Sequence, residues 1–141
     1  MTGSVLSSTR QARGIGDEEF RAVSADLAAK FERLRPQSIR PAEGFIKYDY
    51  LIPAGFYKQM WDWDGFFIGC HLCSIGRPEY LKWWVLNFVE AVDPEGYVPG
   101  CITTQGPRPI FGKFAMKPFL AQGAYFSSTA SGDFGWLEPA Y

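Results

Sequence analysis

The stretch from residue 78 to residue 92 most restricts the folds open to this chain. Pro78 suits the first position of a helix, and the pattern predicts a helix that continues to about Val92. One thin stripe is polar: Glu79, Lys82, Asn87 and Glu90. Apolar side chains cover nearly everything else: Tyr80, Leu81, Trp83, Trp84, Val85, Leu86, Phe88 and Val89. A helix with so little polar surface must be covered on several sides.

Three further helices follow from the pattern, and together they predict an all-α fold. The first begins at Asp17 and is stopped by Pro36, with an apolar stripe that should face a core: Phe20, Val23, Leu27, Phe31 and Leu34. The second opens at Asp62 or Asp64 and ends at Gly76, and the fourth runs from about Pro118 to Thr129. Residues 1–16 form a disordered leader, and long Gly/Pro-rich aromatic loops occupy residues 41–60 and 105–112.

The composition limits the function. Aromatic side chains are 17% of the 141 residues, a content typical of a ligand pocket or of part of a larger structure. The formal charge of -1 argues against nucleic acid and anionic membranes as partners. No stretch reaches the ~20 apolar residues that a membrane span needs. Because several helices have wide apolar surfaces, we expect either the remainder of a longer chain or self-association to cover them.

The segment around residue 60 carries the clearest chemical signal. Trp61, Asp62, Trp63 and Asp64 alternate rings and carboxylates at a loop-to-helix junction. Saccharides have apolar C–H faces and a rim of hydroxyls, so their pockets pair flat rings with carboxylates. If the segment is helical, Trp61 and Asp64 share a face and can meet a ligand while the other pair anchors the helix. Alternatively, an Asp caps the helix and both Trp fill the core.

This segment resembles the W-x-W-D-x-x-F motif of (α/α)6-barrel glycosidases. The resemblance is to glycoside hydrolase family 63 and its bacterial mannosylglycerate and glucosylglycerate hydrolase relatives, with trehalases as more distant members of the six-hairpin group. Tyr57 precedes the first Trp by four residues as in that family, and Gly96-Tyr97-Val98-Pro99 matches its G-x-[VI]-P segment. Lys117-Pro118-Phe119-Leu120-Ala121 matches a later Q-P-P-x-x-A segment, with Lys117 in place of Gln.

The resemblance implies that residues 17–141 are the N-terminal portion of an (α/α)6 toroid, truncated at its C-terminus. It implies that Tyr57, Trp61 and Asp64 bind the terminal sugar, with Trp63, Gln59 and Lys117 as further candidates. The family's general acid and base lie downstream of its last motif, and no residue here matches them. We therefore expect a fragment of an inverting glycosidase for α-glucosyl or α-mannosyl substrates, inactive alone and without a cofactor. The alternatives are a non-catalytic carbohydrate-binding module and an aromatic-rich protein-interaction domain.

Two other signals indicate packing rather than chemistry. Cys70 and Cys73 have a C-x-x-C spacing, but zinc usually takes four ligands and Cys101 is the sole further cysteine. We therefore interpret both as small core residues and expect no metal. Three cysteines and the lack of a secretory leader favour a reducing, cytoplasmic setting. The basic residues between Arg33 and Arg40 are interpreted as a solvated helix end.

Overall fold

The computed structural model describes residues 16–108 and 116–140, and it is mostly helical. Four α-helices are present in these ranges: α1 (Asp17–Ser38), α2 (Asp62–Ser74), α3 (Glu79–Val89) and α4 (Leu120–Ser131). A 3-10 helix, Gly135–Ala140, follows α4. Five short strands accompany them: β1 (Ile39–Arg40), β2 (Tyr50–Leu51), β3 (Met60–Trp61), β4 (Cys101–Thr103) and β5 (Gly106–Pro107). The predicted leader falls almost wholly outside the described residues.

The chain divides into two compact units, one up to Arg33 and one from Leu34 onward. The first unit contributes most of α1, which begins with three acidic residues that suit the helix dipole. The predicted stop at Pro36 is wrong, because α1 continues to Ser38 with Pro36 inside its last turn. A proline there removes a single backbone hydrogen bond, which the end of a helix tolerates more easily than its middle.

The apolar stripe of α1 does not face a core, contrary to the prediction. Its five side chains are all exposed, from Phe20 at 63% to Leu34 at 43%. The period of the pattern correctly indicates a helix, but it does not say what covers the helix. Among the described residues of the first unit, no second element is present to bury this stripe.

The second unit is built around α3, which packs against both α2 and α4. Trp84, Leu81 and Phe88 of α3 are fully buried. Helix α2 ends where predicted, since Gly76 follows it in the left-handed region with φ +80°. Helix α3 ends at Val89, three residues earlier than expected, and α4 ends at Gly132 with φ 70°.

Asn87 shows that the polar stripe of α3 is not uniformly solvated. Its side chain is 2% exposed, and its Oδ1 accepts hydrogen bonds from the backbone N–H groups of Lys47 and Tyr48, both at 3.1 Å. Its Nδ2 donates to the carbonyl of Tyr48 at 3.2 Å. A buried amide with all these partners stabilises the loop–helix contact, whereas an unpaired one would cost free energy.

Short antiparallel strands correct the purely α-helical prediction. β1 pairs with β2, placing Arg40 opposite Tyr50. β3, β4 and β5 form a second sheet in that order, in which Trp61 lies opposite Cys101. Strands of two or three residues are too short to show an alternating pattern, so the sequence predicted no strand there. No helix among the described residues is both long and apolar enough to cross a bilayer.

Two glycines let the helices approach the Trp84 indole. A Cβ added to Gly65 of α2 would lie 2.5 Å from Nε1 of Trp84, and one added to Gly123 of α4 would lie 3.0 Å from its Cζ3. Trp84 also donates its indole N–H to the carbonyl of Trp61 at 3.3 Å. The ring is flat, stiff and fully buried, so it cannot move aside easily.

We therefore predict that Gly65→Ala destabilises the fold by about 2 to 3 kcal/mol through overpacking against Trp84. Gly135→Ala is the matched control, because its added Cβ would meet only the Asp133 carboxylate at an ordinary 3.5 Å. The free energy of unfolding, measured by urea titration with circular dichroism, compares the two. Equal stability of both variants would contradict the close packing described for Gly65.

Candidate functional site

A polar cleft of about 570 Å3 lies in the second unit, and four chain segments form its walls. β1, β2 and the loop between them supply Arg40, Glu43 and Tyr50. The loop before β3 supplies residues 55–59, the β4–β5 hairpin supplies residues 103–105, and Arg108 follows β5. Ligand pockets commonly have volumes of about 300 to 1,000 Å3, so the cleft has room for a mono- or disaccharide.

The loop before β3 brings two predicted site residues into this cleft, Tyr57 and Gln59. The Tyr57 ring is stacked on Phe56, with centroids 4.4 Å apart and planes 25° apart. Both rings are exposed, and Phe56 is 85% exposed. The Gln59 Oε1 accepts a hydrogen bond from the backbone N–H of Lys58 at 3.2 Å, which orients its amide. The loop thus offers an apolar ring surface next to a side-chain amide.

The electrostatics of the cleft are mixed, with basic groups in excess. Arg40, Lys58 and Arg108 line it together with one carboxylate, Glu43. The Arg40 guanidinium is held in place because its Nη1 donates to the carbonyl of Ile39 at 2.9 Å. Burial, together with the Glu43 carboxylate, raises the pKa of Tyr50, and the Arg40 charge opposes that shift. Tyr50 therefore stays a neutral hydroxyl at physiological pH.

The β4–β5 hairpin contributes hydroxyl and amide groups that are held by local hydrogen bonds. Thr103 Oγ1 donates to the carbonyl of Gly106 at 3.0 Å and accepts from the backbone N–H of Gln105 at 3.2 Å. Gln105 Nε2 donates to Thr104 Oγ1 at 2.9 Å. Such groups can both donate to and accept from sugar hydroxyls, and their geometry is already set.

Trp61 lies next to the cleft rather than in its lining. It belongs to β3 and not to the helix, so the shared helical face predicted for Trp61 and Asp64 does not form. Its ring meets Tyr57 edge-on, with centroids 6.5 Å apart. Its indole N–H is buried and has no hydrogen-bond partner among the residues the structure describes. Trp61 therefore packs against the Tyr57 ring from outside the cleft lining.

The two aspartates of the motif have different environments. Asp62 is 1% exposed, and its Oδ1 accepts a 2.7 Å hydrogen bond from the backbone N–H of Trp63. Its Oδ2 accepts one from the backbone N–H of Lys117 at 2.8 Å. Asp64 is half-buried in the first turn of α2. Asp62 is thus the structural carboxylate, as expected if one Trp/Asp pair anchors the helix.

Lys117 and Trp63 lie outside the cleft lining. The Lys117 ammonium is 3.3 Å from Asp62 Oδ1, so it is paired with the anchoring carboxylate. Trp63 is 50% exposed and packs edge-on against Phe67 and Phe119, with centroids 5.3 and 5.4 Å away. Of the six predicted site residues, the structure therefore brings only Tyr57 and Gln59 together in one cavity.

Arg40 and Glu43 are two of the cleft residues that the sequence analysis does not identify as site residues. Arg40 was interpreted as part of a solvated helix end, but it lies in β1, half-buried, opposite Tyr50. Glu43 forms an isolated bridge with Ile46, which turns the chain back towards β2. Only the pairing of β1 with β2 brings this segment to the cleft. The adjacent Pro41 and Gly44 were the available turn signal.

Comparison with known proteins finds similarity to trehalases. The chain is similar to periplasmic trehalase of Escherichia coli O139:H28, with 24% identity over 115 residues, 76% of this chain and 20% of that protein. It is similar to periplasmic trehalase of Pseudomonas aeruginosa, with 24% identity over 117 residues, 77% of this chain and 21% of that protein. A putative periplasmic trehalase of Escherichia coli O157:H7 is 25% identical over 67% of this chain and 18% of its own length.

The homology is with trehalases, which are glycoside hydrolases. It is distant. The chain spans about a fifth of the length of the curated relatives it matches. No model of a known protein family matches the chain, and no solved structure matches it. The similarity thus supports a trehalase-related glycosidase and does not distinguish family 63.

The cysteines pack as predicted. Cys70 and Cys73 are partly buried against the main core, and Cys101 is 1% exposed. Burial raises the pKa of Cys73 to about 11, with Cys70 and Glu79 adding to the shift. Burial likewise raises the pKa of Cys101 to about 11. Within the described ranges, no three His, Cys, Asp or Glu side chains are grouped to hold a metal ion.

We predict that the folded protein resists alkylation by iodoacetamide at pH 8. With a pKa of about 11, Cys73 is about 0.1% thiolate at pH 8, roughly 100-fold less than a thiol with an ordinary pKa near 8.5 to 9. Alkylation should speed up as the pH rises towards 11, or at pH 8 once urea unfolds the chain. Mass spectrometry follows the site. Rapid modification of Cys73 in the folded protein at pH 8 would contradict this environment.

We also predict that Asp62→Asn costs about 1.5 to 3 kcal/mol of stability, because the new amide nitrogen cannot accept the hydrogen bond from Lys117. Asp64→Asn is the matched control, since Asp64 is less buried and only two residues away. Urea unfolding monitored by circular dichroism measures both. If the two substitutions had the same small effect, the anchoring role of Asp62 would be refuted.

Proposed function

We propose that this chain is the saccharide-binding N-terminal portion of an inverting glycoside hydrolase that acts on α-glucosyl or α-mannosyl substrates. Its helices would be the opening part of an (α/α)6 toroid. The observation that carries the proposal is the similarity to periplasmic trehalases over about three quarters of the chain. The geometry of the polar cleft, with its exposed Tyr57 ring, also supports the proposal.

The cleft offers groups that can bind a polyol. The exposed face of Tyr57, extended by Phe56, offers flat apolar area for the C–H face of a pyranose. Gln59 and the hairpin residues offer both donors and acceptors for hydroxyl groups. Glu43 supplies a carboxylate, the strongest acceptor available for a sugar hydroxyl. We assign to Glu43 part of the role that the motif suggested for Asp64.

The proposal assigns different roles to the other four predicted site residues, Trp61, Asp64, Trp63 and Lys117. Trp61 acts through Tyr57, which it contacts edge-on. Asp64 and Trp63 lie on the first turn of α2, outside the cleft lining, and would meet a ligand that extends beyond the cleft. Lys117 is paired with Asp62, so its role in binding would be to position the start of α2.

Bond cleavage would require groups that the cleft lining does not supply. An inverting glycosidase uses two carboxyl groups about 6.5 to 9.5 Å apart, one as acid and one as base. Glu43 is the single carboxylate among the described residues that line the cleft. We therefore propose that the chain binds a sugar here and that acid and base come from elsewhere in the full enzyme, so the chain alone has no turnover.

A protein-interaction role is the second candidate, and one surface favours it. Trp63 and Phe67 on α2, with Tyr125 and Phe126 on α4, are each at least 44% exposed. We call these four residues the α2–α4 aromatic surface. Exposed apolar area of this kind marks a site that another surface covers. The rest of a longer chain or a second copy would be its partner.

The cytoplasmic setting stays a prediction. The three cysteines are free, which is compatible with a reducing compartment. The relatives, in contrast, are named periplasmic.

We predict that methyl α-D-glucopyranoside or trehalose shifts the backbone amide signals of Gln59 and Gln105 in 1H–15N NMR titrations. Tyr57→Ala should weaken this binding by about tenfold, because the ring platform is lost. Tyr125→Ala is the matched control, since it removes an exposed Tyr ring from α4, outside the cleft.

Sugar-induced shifts that Tyr57→Ala leaves unchanged would refute the cleft assignment. The absence of shifts with both sugars, together with a dimeric mass by light scattering that Phe126→Ala makes monomeric, would favour the interaction domain instead.

A further inference from the structure

A second cavity, of about 490 Å3, lies on one face of α3 and shares no lining residue with the cleft. Trp83, Leu86 and Val89 form its floor at spacings of three residues, which places them on one side of the helix. Tyr48 forms one wall and Trp136 of the 3-10 helix forms another. Three large aromatic side chains therefore come together from three parts of the sequence.

The two indole rings of this cavity are held in place by contacts with neighbouring side chains. The Trp136 indole N–H donates to Ser128 Oγ at 3.0 Å, and the Lys82 ammonium lies 5.3 Å from the centroid of the Trp136 ring. Trp83 packs edge-on against Tyr80, with centroids 5.1 Å apart and planes 83° apart. Fixed rings lose little conformational entropy when a ligand binds.

The charges at the rim indicate a neutral ligand. Lys82 and Glu90 both line the cavity, one cation and one carboxylate. Lys82 is also 3.5 Å from Asp133, which balances part of its charge. Glu90 would repel an anion and Lys82 would repel a cation, so neither kind of ion finds a rim of uniformly favourable charge. Hydroxyl groups, in contrast, can accept from an ammonium and donate to a carboxylate.

We propose that this cavity is a second saccharide site, which binds the apolar face of one neutral pyranose unit on Trp83 with Glu90 accepting from its hydroxyls. The proposal rests on the cavity itself and stands whether or not the cleft binds sugar. Its physical basis is the combination of fixed indole rings, a rim that carries one cation and one carboxylate, and a volume within the usual range of ligand pockets, about 300 to 1,000 Å3.

The test is a 1H–15N NMR titration with methyl α-D-glucopyranoside, followed through the indole N–H signals and run in both the parent and Tyr57→Ala, so that shifts caused by the cleft are recognised by their weakening in the variant. We expect the signals of Trp83 and Trp136 to move together and the Trp63 signal to stay in place. Glycerol, a polyol without a ring face, is the ligand control and should move none of them.

Three variants locate the binding. In Trp83→Ala the Trp136 shift should vanish, and Trp83→Phe should keep part of the affinity because it keeps a ring. Glu90→Gln should weaken binding by about threefold to tenfold. Because it alters only an exposed side chain, it keeps the test valid if Trp83→Ala does not fold. Phe134→Ala is the matched control, because it removes an exposed ring outside both cavity linings, and it should bind as the parent does.

The proposal is overturned if the Trp83 and Trp136 signals stay fixed up to about 100 mM sugar, where even millimolar affinity would saturate the site. It is equally overturned if glycerol produces the same shifts, or if Glu90→Gln and Trp83→Phe both bind as tightly as the parent. Weakening of the cleft shifts in Tyr57→Ala, with these indole shifts intact, would show two independent sites.

Discussion

The second unit depends on the packing of one indole ring between two glycines. Trp84 of α3 is fully buried, and Gly65 of α2 and Gly123 of α4 leave the space that it occupies. Its N–H reaches the carbonyl of Trp61, so the same ring connects the three packed helices to the strand at which α2 begins. That strand pairs with β4. The position of Trp84 therefore also affects the sheet whose β4–β5 hairpin lines the cleft.

The helices were the part of the fold that local patterns could predict. Apolar periodicity located α1, start and turn signals located α2, α3 and α4, and the glycines at residues 76 and 132 ended two of them. What covers a helix is a tertiary property, so the exposed stripe of α1 escaped prediction. The pairing of Arg40 with Tyr50 and of Trp61 with Cys101 joins distant segments through two-residue strands, which carry no readable pattern.

The location of the candidate site was only partly predictable, and its sugar-binding chemistry stays a prediction. The alternation of Trp and Asp correctly marked a loop-to-helix junction beside a polar cleft, and Tyr57 and Gln59 line that cleft. Which aspartate is buried follows from the contact between Asp62 and Lys117, which are 55 residues apart. Glu43 comes to the cleft through the fold of a loop. These long-range contacts depend on the whole chain and cannot be derived from spacing.

The hydrogen bonds of Asn87 have a mechanical consequence. This buried amide holds the backbone of Tyr48, which forms a wall of the second cavity, and Tyr50 of the cleft lies only two residues further on. A single side chain on α3 thus sets the frame of both cavities. Through these hydrogen bonds, a substitution that displaces Asn87 would also displace the backbone at Tyr48, next to the short segment that carries Tyr50.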